Sequence, residues 1–156
     1  MKYFTLNYHC LINASAQEVC HFHTDTTNLP HITPPSTHVT IVSMDVPMIE
    51  KSMVILDIKR LGLTTRWEME IETLKCPHTL VDTMRKGPFR FFRHERHFIS
   101  VDEQTTRMEE TLTFSPPLPL LGNLSFWFLK KDMDAMFAYR HNQTQRYFDA
   151  LKAQNA

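Results

Sequence analysis

Residues 123–150 read NLSFWFLKKDMDAMFAYRHNQTQRYFDA, and no other part of the chain constrains the architecture as strongly. Apolar side chains recur there at the three- and four-residue spacing of one helix face. The predicted apolar stripe consists of Phe126, Leu129, Met133, Met136, Phe137, Tyr147, Phe148 and Leu151. Lysine, aspartate, asparagine and glutamine occupy the flanks of this stripe. The pattern predicts one long amphipathic helix over residues 123–150.

Upstream of this segment, short stretches of alternating apolar and polar residues predict β-strands. The predicted strands cover residues 3–12, 37–44, 52–60, 63–75, 79–85, 89–101 and 105–114. Turn-length breaks between the last six strands indicate an antiparallel meander. Ser15 and Glu18 have the spacing of a capping box, which predicts a short helix after Ser15. A second helical turn is expected over residues 27–32.

The predicted order is therefore a strand, two short helices, six strands and a long helix. Because sheet and helix each have one apolar face, they must bury those faces against each other. We expect a single α+β domain over residues 1–156, in which a seven-stranded curved antiparallel sheet wraps around the C-terminal helix. A cavity between sheet and helix is expected wherever side chains do not fill the space, and a ligand would bind there.

Composition excludes several classes of protein. The chain has 156 residues, of which 42% are hydrophobic and 22% are charged, so it can bury a core. Lys+Arg and Asp+Glu number 17 each, so no excess charge indicates a nucleic-acid partner. No stretch reaches the roughly 18 apolar residues that a membrane span requires. The oligomeric state cannot be inferred from the sequence.

The cysteines and histidines do not indicate a metal site or a cofactor. Cys10, Cys20 and Cys76 are widely spaced, and we expect three free thiols in a cytoplasmic protein. His21 and His23 are two positions apart, so on a helix they point about 200° away from each other and cannot chelate one ion. Both are expected to be exposed. No phosphate-binding or dinucleotide-binding motif is present, so no cofactor is predicted.

Several motifs resemble the START-like, Bet v 1-like (SRPBCC) superfamily, and in particular its bacterial cyclase/dehydrase-like branch. The motifs are Trp67-Glu68-Met69, Asp82 with Gly87-Pro88-Phe89, Phe92-Arg93-His94-Glu95 with Phe98, Thr106-Arg107-Met108-Glu109-Glu110, Phe114-Ser115-Pro116-Pro117 leading to Leu121-Gly122, and Phe137-Ala138-Tyr139-Arg140. The resemblance implies the helix-grip fold. Because the superfamily includes lipid and sterol carriers, ubiquinone-binding proteins, hormone receptors and aromatic polyketide cyclases, it implies architecture and not activity.

Alternation places polar side chains on the inner face of the last two strands. The inner face of the last strand carries Met108, Glu110, Leu112 and Phe114, because the opposite face is polar throughout. The inner face of the preceding strand then carries Phe92, His94, Arg96 and Phe98. Two registers are compatible with the turn at residues 102–104, and they set either Arg96 or His94 opposite Glu110.

The C-terminal helix adds a fourth polar side chain, because Arg140 lies near the centre of its apolar stripe. An unpaired charge in an apolar interior is costly, so Arg140 needs a partner. Glu110, a backbone carbonyl, water in a cavity and an anionic ligand group are the candidates. The polar cluster is therefore interpreted either as a structural salt bridge between helix and sheet, or as a patch that orients a ligand.

The predicted function is the non-catalytic binding or transport of a hydrophobic or amphipathic small molecule. The candidate ligand-binding residues are Trp67, Met69, Phe92, His94, Arg96, Phe98, Met108, Glu110, Met136 and Arg140. One alternative is a cyclase, dehydratase or isomerase acting on an aromatic or polyketide-like substrate, with His94 and Glu110 as acid and base and with Arg96 or Arg140 binding an oxyanion. A second alternative is an interaction module that docks through the apolar loop at residues 116–121.

Overall fold

The structure is a computed structural model that describes residues 1–116 and 123–156, with side chains described from residue 126 onward in the second range. The strands are β1 (Phe4–Ile12), β2 (Thr37–Met44), β3 (Met53–Arg60), β4 (Leu63–Lys75), β5 (Thr79–Lys86), β6 (Phe91–Asp102) and β7 (Thr105–Ser115). The helices are α1 (Ala16–Thr24), a 3-10 helix (Thr26–Ile32) and α2 (Asn123–Gln154). The predicted docking loop at residues 116–121 lies, apart from Pro116, outside the described residues.

The seven strands form one antiparallel sheet in the order β1-β7-β6-β5-β4-β3-β2. Tight connections produce this order, and the β3–β4 turn shows how. Leu61 and Gly62 both have positive φ, 49° and 79°, and Arg60 pairs directly with Leu63. This is the backbone that a two-residue hairpin requires, and glycine adopts it without steric cost. The predicted meander is confirmed.

The sheet wraps around α2, because strands from opposite parts of the sheet reach neighbouring residues of this one helix. From β1, the Tyr8 hydroxyl donates a hydrogen bond to Asp134 at 2.9 Å. From β3, next to the opposite edge strand, Arg60 forms an ion pair with Asp132. Register shifts within β2, β4 and β6 provide local bends that curve the sheet. The helix-grip arrangement is confirmed.

The apolar stripe of α2 is buried over its middle and exposed at its end. Met133, Phe137 and Phe148 are buried, and the Phe137 ring stacks on Tyr8 at 4.3 Å between centroids. Tyr147 and Leu151, which the periodicity placed on the same stripe, are 47% and 36% exposed. Phe148 in the same turn stays buried, and Tyr147 packs beside the Phe22 ring of α1 at 4.7 Å between centroids, so Tyr147 and Leu151 lie at the margin of the buried face.

The two short helices close one end of the grip. Ser15 caps α1 as predicted, since its side chain accepts from the Glu18 amide while the Glu18 carboxylate accepts from the Ser15 amide. The expectation of three free thiols is wrong, because Cys20 of α1 forms a disulfide with Cys76 in the β4–β5 turn. Only proximity in the folded chain reveals this pair, since 56 positions separate the two cysteines. Among the described residues, Cys10 is a free cysteine, and it is buried.

Candidate functional site

A cavity of about 450 Å³ lies between the concave face of the sheet and α2. Its walls are mainly aliphatic and aromatic, and they include Leu56, Ile58, Trp67, Met69, Phe92, Leu129 and Met136. This volume is within the range of roughly 300–1,000 Å³ that is typical of small-molecule sites in proteins. The cavity forms because the strongly curved sheet stands away from the helix where no large side chain fills the gap.

Eight of the ten candidate ligand-binding residues line this cavity. They are Trp67, Met69, Phe92, His94, Arg96, Glu110, Met136 and Arg140. Phe98 and Met108 do not line it; they are 2% and 0% exposed and belong to a core cluster with Val19 and Phe148. Both side chains point inward as alternation predicted, but α1 and the C-terminal part of α2 cover this end of the sheet.

Glu110 is the centre of a buried polar cluster. Its Oε2 lies 2.6 Å from Nε2 of His94, and its Oε1 lies 2.5 Å from Nε2 of His141. Burial by itself would raise the pKa of Glu110, but the hydrogen bonds from His141 and His94 outweigh it and hold the pKa well below its ordinary value. The ionised carboxylate therefore accepts one N–H from each imidazole and joins β6, β7 and α2.

Arg96 lies directly opposite Glu110 in the β6–β7 register, which is one of the two registers that the sequence allowed. Its guanidinium nevertheless pairs with Asp82 on β5 and not with Glu110. Burial lowers the pKa of Arg96 to about 10. Its buried Nε has no hydrogen-bond partner among the described residues. Asp82 was not predicted as the partner of Arg96, since alternation gives the face on which a side chain lies but not its neighbour on the adjacent strand.

Arg140 projects into the cavity from α2. Its buried Nε has no hydrogen-bond partner in the part of the chain that the structure describes, and its guanidinium carbon lies 5.7 Å from the centre of the Phe137 ring. The salt bridge to Glu110 that was one of the candidate pairings is not formed; the contacts to the two carboxylate oxygens come from His94 and His141 instead. Burial lowers the pKa of Arg140, although the negative charge of Glu110 opposes this effect.

Two histidines belong to the site although sequence analysis did not assign them to it. His23 was expected to be exposed, but it lines the cavity and its Nε2 is buried without a partner among the described residues. Burial, reinforced by the charge of Arg96, lowers the pKa of His23 to about 3. The spacing contained the signal: His23 is four positions after the buried Val19, and His141 is four positions after the buried Phe137.

One end of the cavity opens to solvent. Leu61 and Leu63 line this end and are 93% and 74% exposed. Arg60 and Asp132, which also line the cavity, form their ion pair across the same opening, between β3 and α2. These four residues define the mouth of the cavity.

The described residues contain neither a metal-binding cluster nor a membrane-spanning helix. Within residues 1–116 and 123–156, no set of three or more His, Cys, Asp or Glu side chains is arranged to hold a metal ion. No helix in these ranges is both long and apolar enough to cross a membrane.

Several solved structures have the same architecture as this chain. A START superfamily protein from Mycobacterium smegmatis shares 13% identity, with 94% of this chain and 98% of the other covered at a TM-score of 0.74. The Zhui aromatase/cyclase from Streptomyces sp. R1128 shares 14%, with coverages of 95% and 94% and a TM-score of 0.75. The ginseng major latex-like protein 151 from Panax ginseng shares 11%, with coverages of 94% and 97% and a TM-score of 0.67. At these identities the likeness shows the fold alone.

Comparison of sequences gives a more specific result. No curated protein matches the chain. A family model described as polyketide cyclase / dehydrase and lipid transport matches residues 12–138, which run from the end of β1 into the middle of α2. The chain therefore belongs to the polyketide cyclase/dehydrase and lipid transport family.

Proposed function

We propose that the protein binds an amphipathic small molecule in the cavity between the sheet and α2. The observation that carries this proposal is the division of the cavity into two parts. Apolar side chains form most of the wall, while a polar region lies where the Glu110 carboxylate joins β6, β7 and α2, away from the ion pair at the mouth. Sites for small molecules commonly combine apolar walls with a few placed polar groups.

The apolar wall supplies the driving force for binding, because it removes the apolar part of the ligand from water. Trp67, Met69, Phe92 and Met136 are the candidate contacts for this part. Methionine side chains adapt to ligands of different shape, which suits a carrier. The polar group of the ligand then lies near His94, Arg96, Glu110 and Arg140, which orient it through hydrogen bonds. The family description, which includes lipid transport, supports a ligand of this kind.

The test begins with native mass spectrometry of freshly purified protein, followed by extraction and identification of any small molecule that is released. The second part measures binding of N-phenyl-1-naphthylamine, a neutral apolar fluorophore, by its fluorescence increase. We expect saturable binding with one molecule per chain. Absence both of a co-purifying molecule and of fluorophore binding would contradict the proposal.

A cavity-filling variant locates the binding site. Ile58 on β3 is half-buried and lines the cavity, so Ile58→Trp should occupy space that the ligand needs and lower the affinity for the fluorophore. Lys59 is the next residue on the strand and is exposed on the other face, so Lys59→Trp is the matched control. Equal loss of affinity in the two variants would place the fluorophore elsewhere.

One observation favours a second candidate function, that of an enzyme acting on an aromatic or polyketide-like substrate. The ionised Glu110 holds the His94 ring at 2.6 Å in the wall of the cavity, as carboxylates hold the histidine bases of many enzymes. With Nε2–H donating to Glu110, Nδ1 is the nitrogen that accepts a proton. Glu110 would then position His94, since its depressed pKa makes it a poor proton donor.

This second function is testable without knowledge of the natural substrate. The probe is 2-tetralone, an aromatic ketone with acidic protons next to its carbonyl group, and NMR in deuterated water measures their exchange. An enzyme of this kind should accelerate the exchange, and His94→Gln should abolish the acceleration. If the wild-type protein binds the apolar fluorophore but leaves the exchange rate unchanged, binding without catalysis is favoured.

A further inference from the structure

The polar region of the cavity contains buried nitrogen atoms without partners. Within the described residues, the buried side-chain polar atoms that lack a hydrogen bond are His23 Nε2, Arg96 Nε and Arg140 Nε. All three residues line the same cavity. Buried polar groups in folded proteins are almost always hydrogen-bonded, so three such atoms around one space indicate that something else supplies their partners.

The carboxylates of the cavity wall do not supply these partners, because each is oriented toward another donor. Among the described residues, four carboxylates line the cavity: Asp25, Asp82, Glu110 and Asp132. Asp25 accepts from Thr27, Asp82 from Arg96, Glu110 from two histidines and Asp132 from Arg60. Each of these carboxylates is thus held by a donor other than the three unpartnered nitrogens, and none of them accepts a hydrogen bond from those nitrogens.

Among the arginines that line the cavity, one guanidinium group has no partner within the described residues. Arg60 and Arg96 each form an ion pair with an aspartate, whereas Arg140 forms neither an ion pair nor a side-chain hydrogen bond within the described residues. Burial lowers the pKa of Arg96, the negative charge of Glu110 raises it, and the positive charge of Arg140 lowers it again, so the two guanidinium groups repel each other. A negative group between them would remove this repulsion and accept their free N–H donors.

From these observations we infer that the ligand is an amphipathic anion, and that a carboxylate at its polar end binds Arg140. This inference rests on the proposed function and specifies the chemical class of the ligand. The planar guanidinium can donate two parallel hydrogen bonds to the two oxygens of a carboxylate, and the arginine carries its charge at every physiological pH. The Nε of Arg96 and the ring of His23 lie in the same cavity as further contacts.

The test compares 2-naphthoate with 2-naphthalenemethanol, two ligands of similar size that differ in whether the polar group is charged. Each displaces N-phenyl-1-naphthylamine from the protein, and the displacement gives its affinity. We expect the wild-type protein to bind 2-naphthoate about 10- to 100-fold more tightly than the alcohol, because hydrogen bonds to charged groups are the stronger kind.

Arg140→Gln should remove this preference, which is measured as the ratio of the two affinities, so that any change in affinity common to both ligands cancels. Arg140→Lys should keep part of the preference, since it keeps the charge but loses the bidentate geometry. Arg146 is exposed on the same helix and does not line the cavity, so Arg146→Gln is the matched control and should retain the preference. Thermal unfolding verifies that each variant is folded.

The possible failures are distinguishable. If the wild-type protein neither binds the neutral fluorophore nor co-purifies with a small molecule, the proposed function itself fails, and this inference fails with it. If the wild-type protein binds the fluorophore but does not prefer 2-naphthoate, the binding proposal stands and the anionic ligand is excluded. This outcome is measured on the wild-type protein alone. If Arg140→Gln retains the full preference, Arg140 is not the recognition group.

Discussion

His141 on α2 and Glu110 on β7 are joined by a hydrogen bond of 2.5 Å between Nε2 and Oε1. This contact links the C-terminal helix to the centre of the sheet, at a point where the other carboxylate oxygen is bound by His94. Arg140, one position before His141 on the helix, does not pair with this carboxylate and lines the cavity. The contact joins two residues that are 31 positions apart in the sequence and holds the helix on the sheet. It also leaves the Arg140 guanidinium available to a ligand.

Replacement of Glu110 tests how much the buried cluster contributes to stability. Glu110→Gln keeps the shape of the side chain but removes the charge that accepts from both histidines, so we expect a loss of about 1–3 kcal/mol in the free energy of unfolding. Urea denaturation measures this loss. Glu109→Gln is the matched control, because Glu109 is the preceding residue on the outer face and its side chain is 46% exposed. Equal losses in the two variants would contradict a stabilising cluster.

His23 should make the protein less stable in mild acid. Its pKa is about 3 in the folded state against 6.5 as the ordinary value, so between these limits the unfolded chain binds a proton that the folded chain does not. Stability is therefore complete above pH 6.5 and falls as the pH falls, by at most about 1.4 kcal/mol per pH unit from this group. Glu110, whose pKa is also lowered, adds to the loss only below its ordinary value of 4.5.

The interval from pH 6.5 to 4.5 consequently isolates the contribution of His23 from that of Glu110. His23→Gln should flatten the dependence of unfolding free energy on pH across this interval, as measured by urea denaturation at several pH values. His21→Gln, which removes an exposed imidazole from the same helix, is the control. A slope in His23→Gln equal to that of the wild type would show that His23 is not buried in its neutral form.

The disulfide predicts a defined thiol count. Titration of denatured, non-reduced protein should find one thiol, Cys10, and titration after reduction should find three. The double variant Cys20→Ser/Cys76→Ser should lose about 2–4 kcal/mol of stability, because the bridge restricts the unfolded chain. The reduced wild-type protein should have the same stability as the double variant. Addition of reductant should not change the stability of the double variant. Three thiols in the non-reduced protein would refute the disulfide. The cytoplasmic location that the sequence suggested remains a prediction.

The position of Phe137 tests the packing of α2 on the sheet. Phe137 is 3% exposed and stacks on Tyr8, so Phe137→Asp would bury an unpaired carboxylate and should cost more than about 4 kcal/mol or prevent folding. Ala135 is exposed two positions earlier on the same helix, and Ala135→Asp should change stability by less than about 0.5 kcal/mol. Circular dichroism during thermal unfolding compares the two variants. Similar stabilities would show that the helix is rotated relative to this arrangement.

The Arg60–Asp132 ion pair at the mouth of the cavity predicts an effect on ligand exchange. Asp132→Asn weakens a contact of about 0.2–1 kcal/mol, so the release of N-phenyl-1-naphthylamine should become up to about fivefold faster in stopped-flow measurements. Asp57 forms a comparable pair with Arg66 on the outer face of β3, which makes Asp57→Asn the control. Release rates that change equally in both variants would mean that the pair at the mouth does not limit exchange.

Much of the fold follows from local patterns, because each pattern is complete within a few residues. Alternation over β6 and β7 shows that His94, Arg96 and Glu110 face inward, and the register with Arg96 opposite Glu110 is one of only two that the turn permits. Helical spacing likewise places Arg140 toward the sheet. These patterns determine the face on which a side chain lies, since the periods of strand and helix are set by the backbone.

The partner of each side chain was decided only by the tertiary structure. The fold pairs His141 with Glu110, Asp82 with Arg96, and Cys20 with Cys76. In each pair, segments that are distant in the sequence lie within a few ångströms of each other. Periodicity contains no information about such distances. A side chain that faces inward can be buried in the core, as Phe98 is, or line a cavity, as Arg140 does. The packing of the other elements around it determines which of the two occurs.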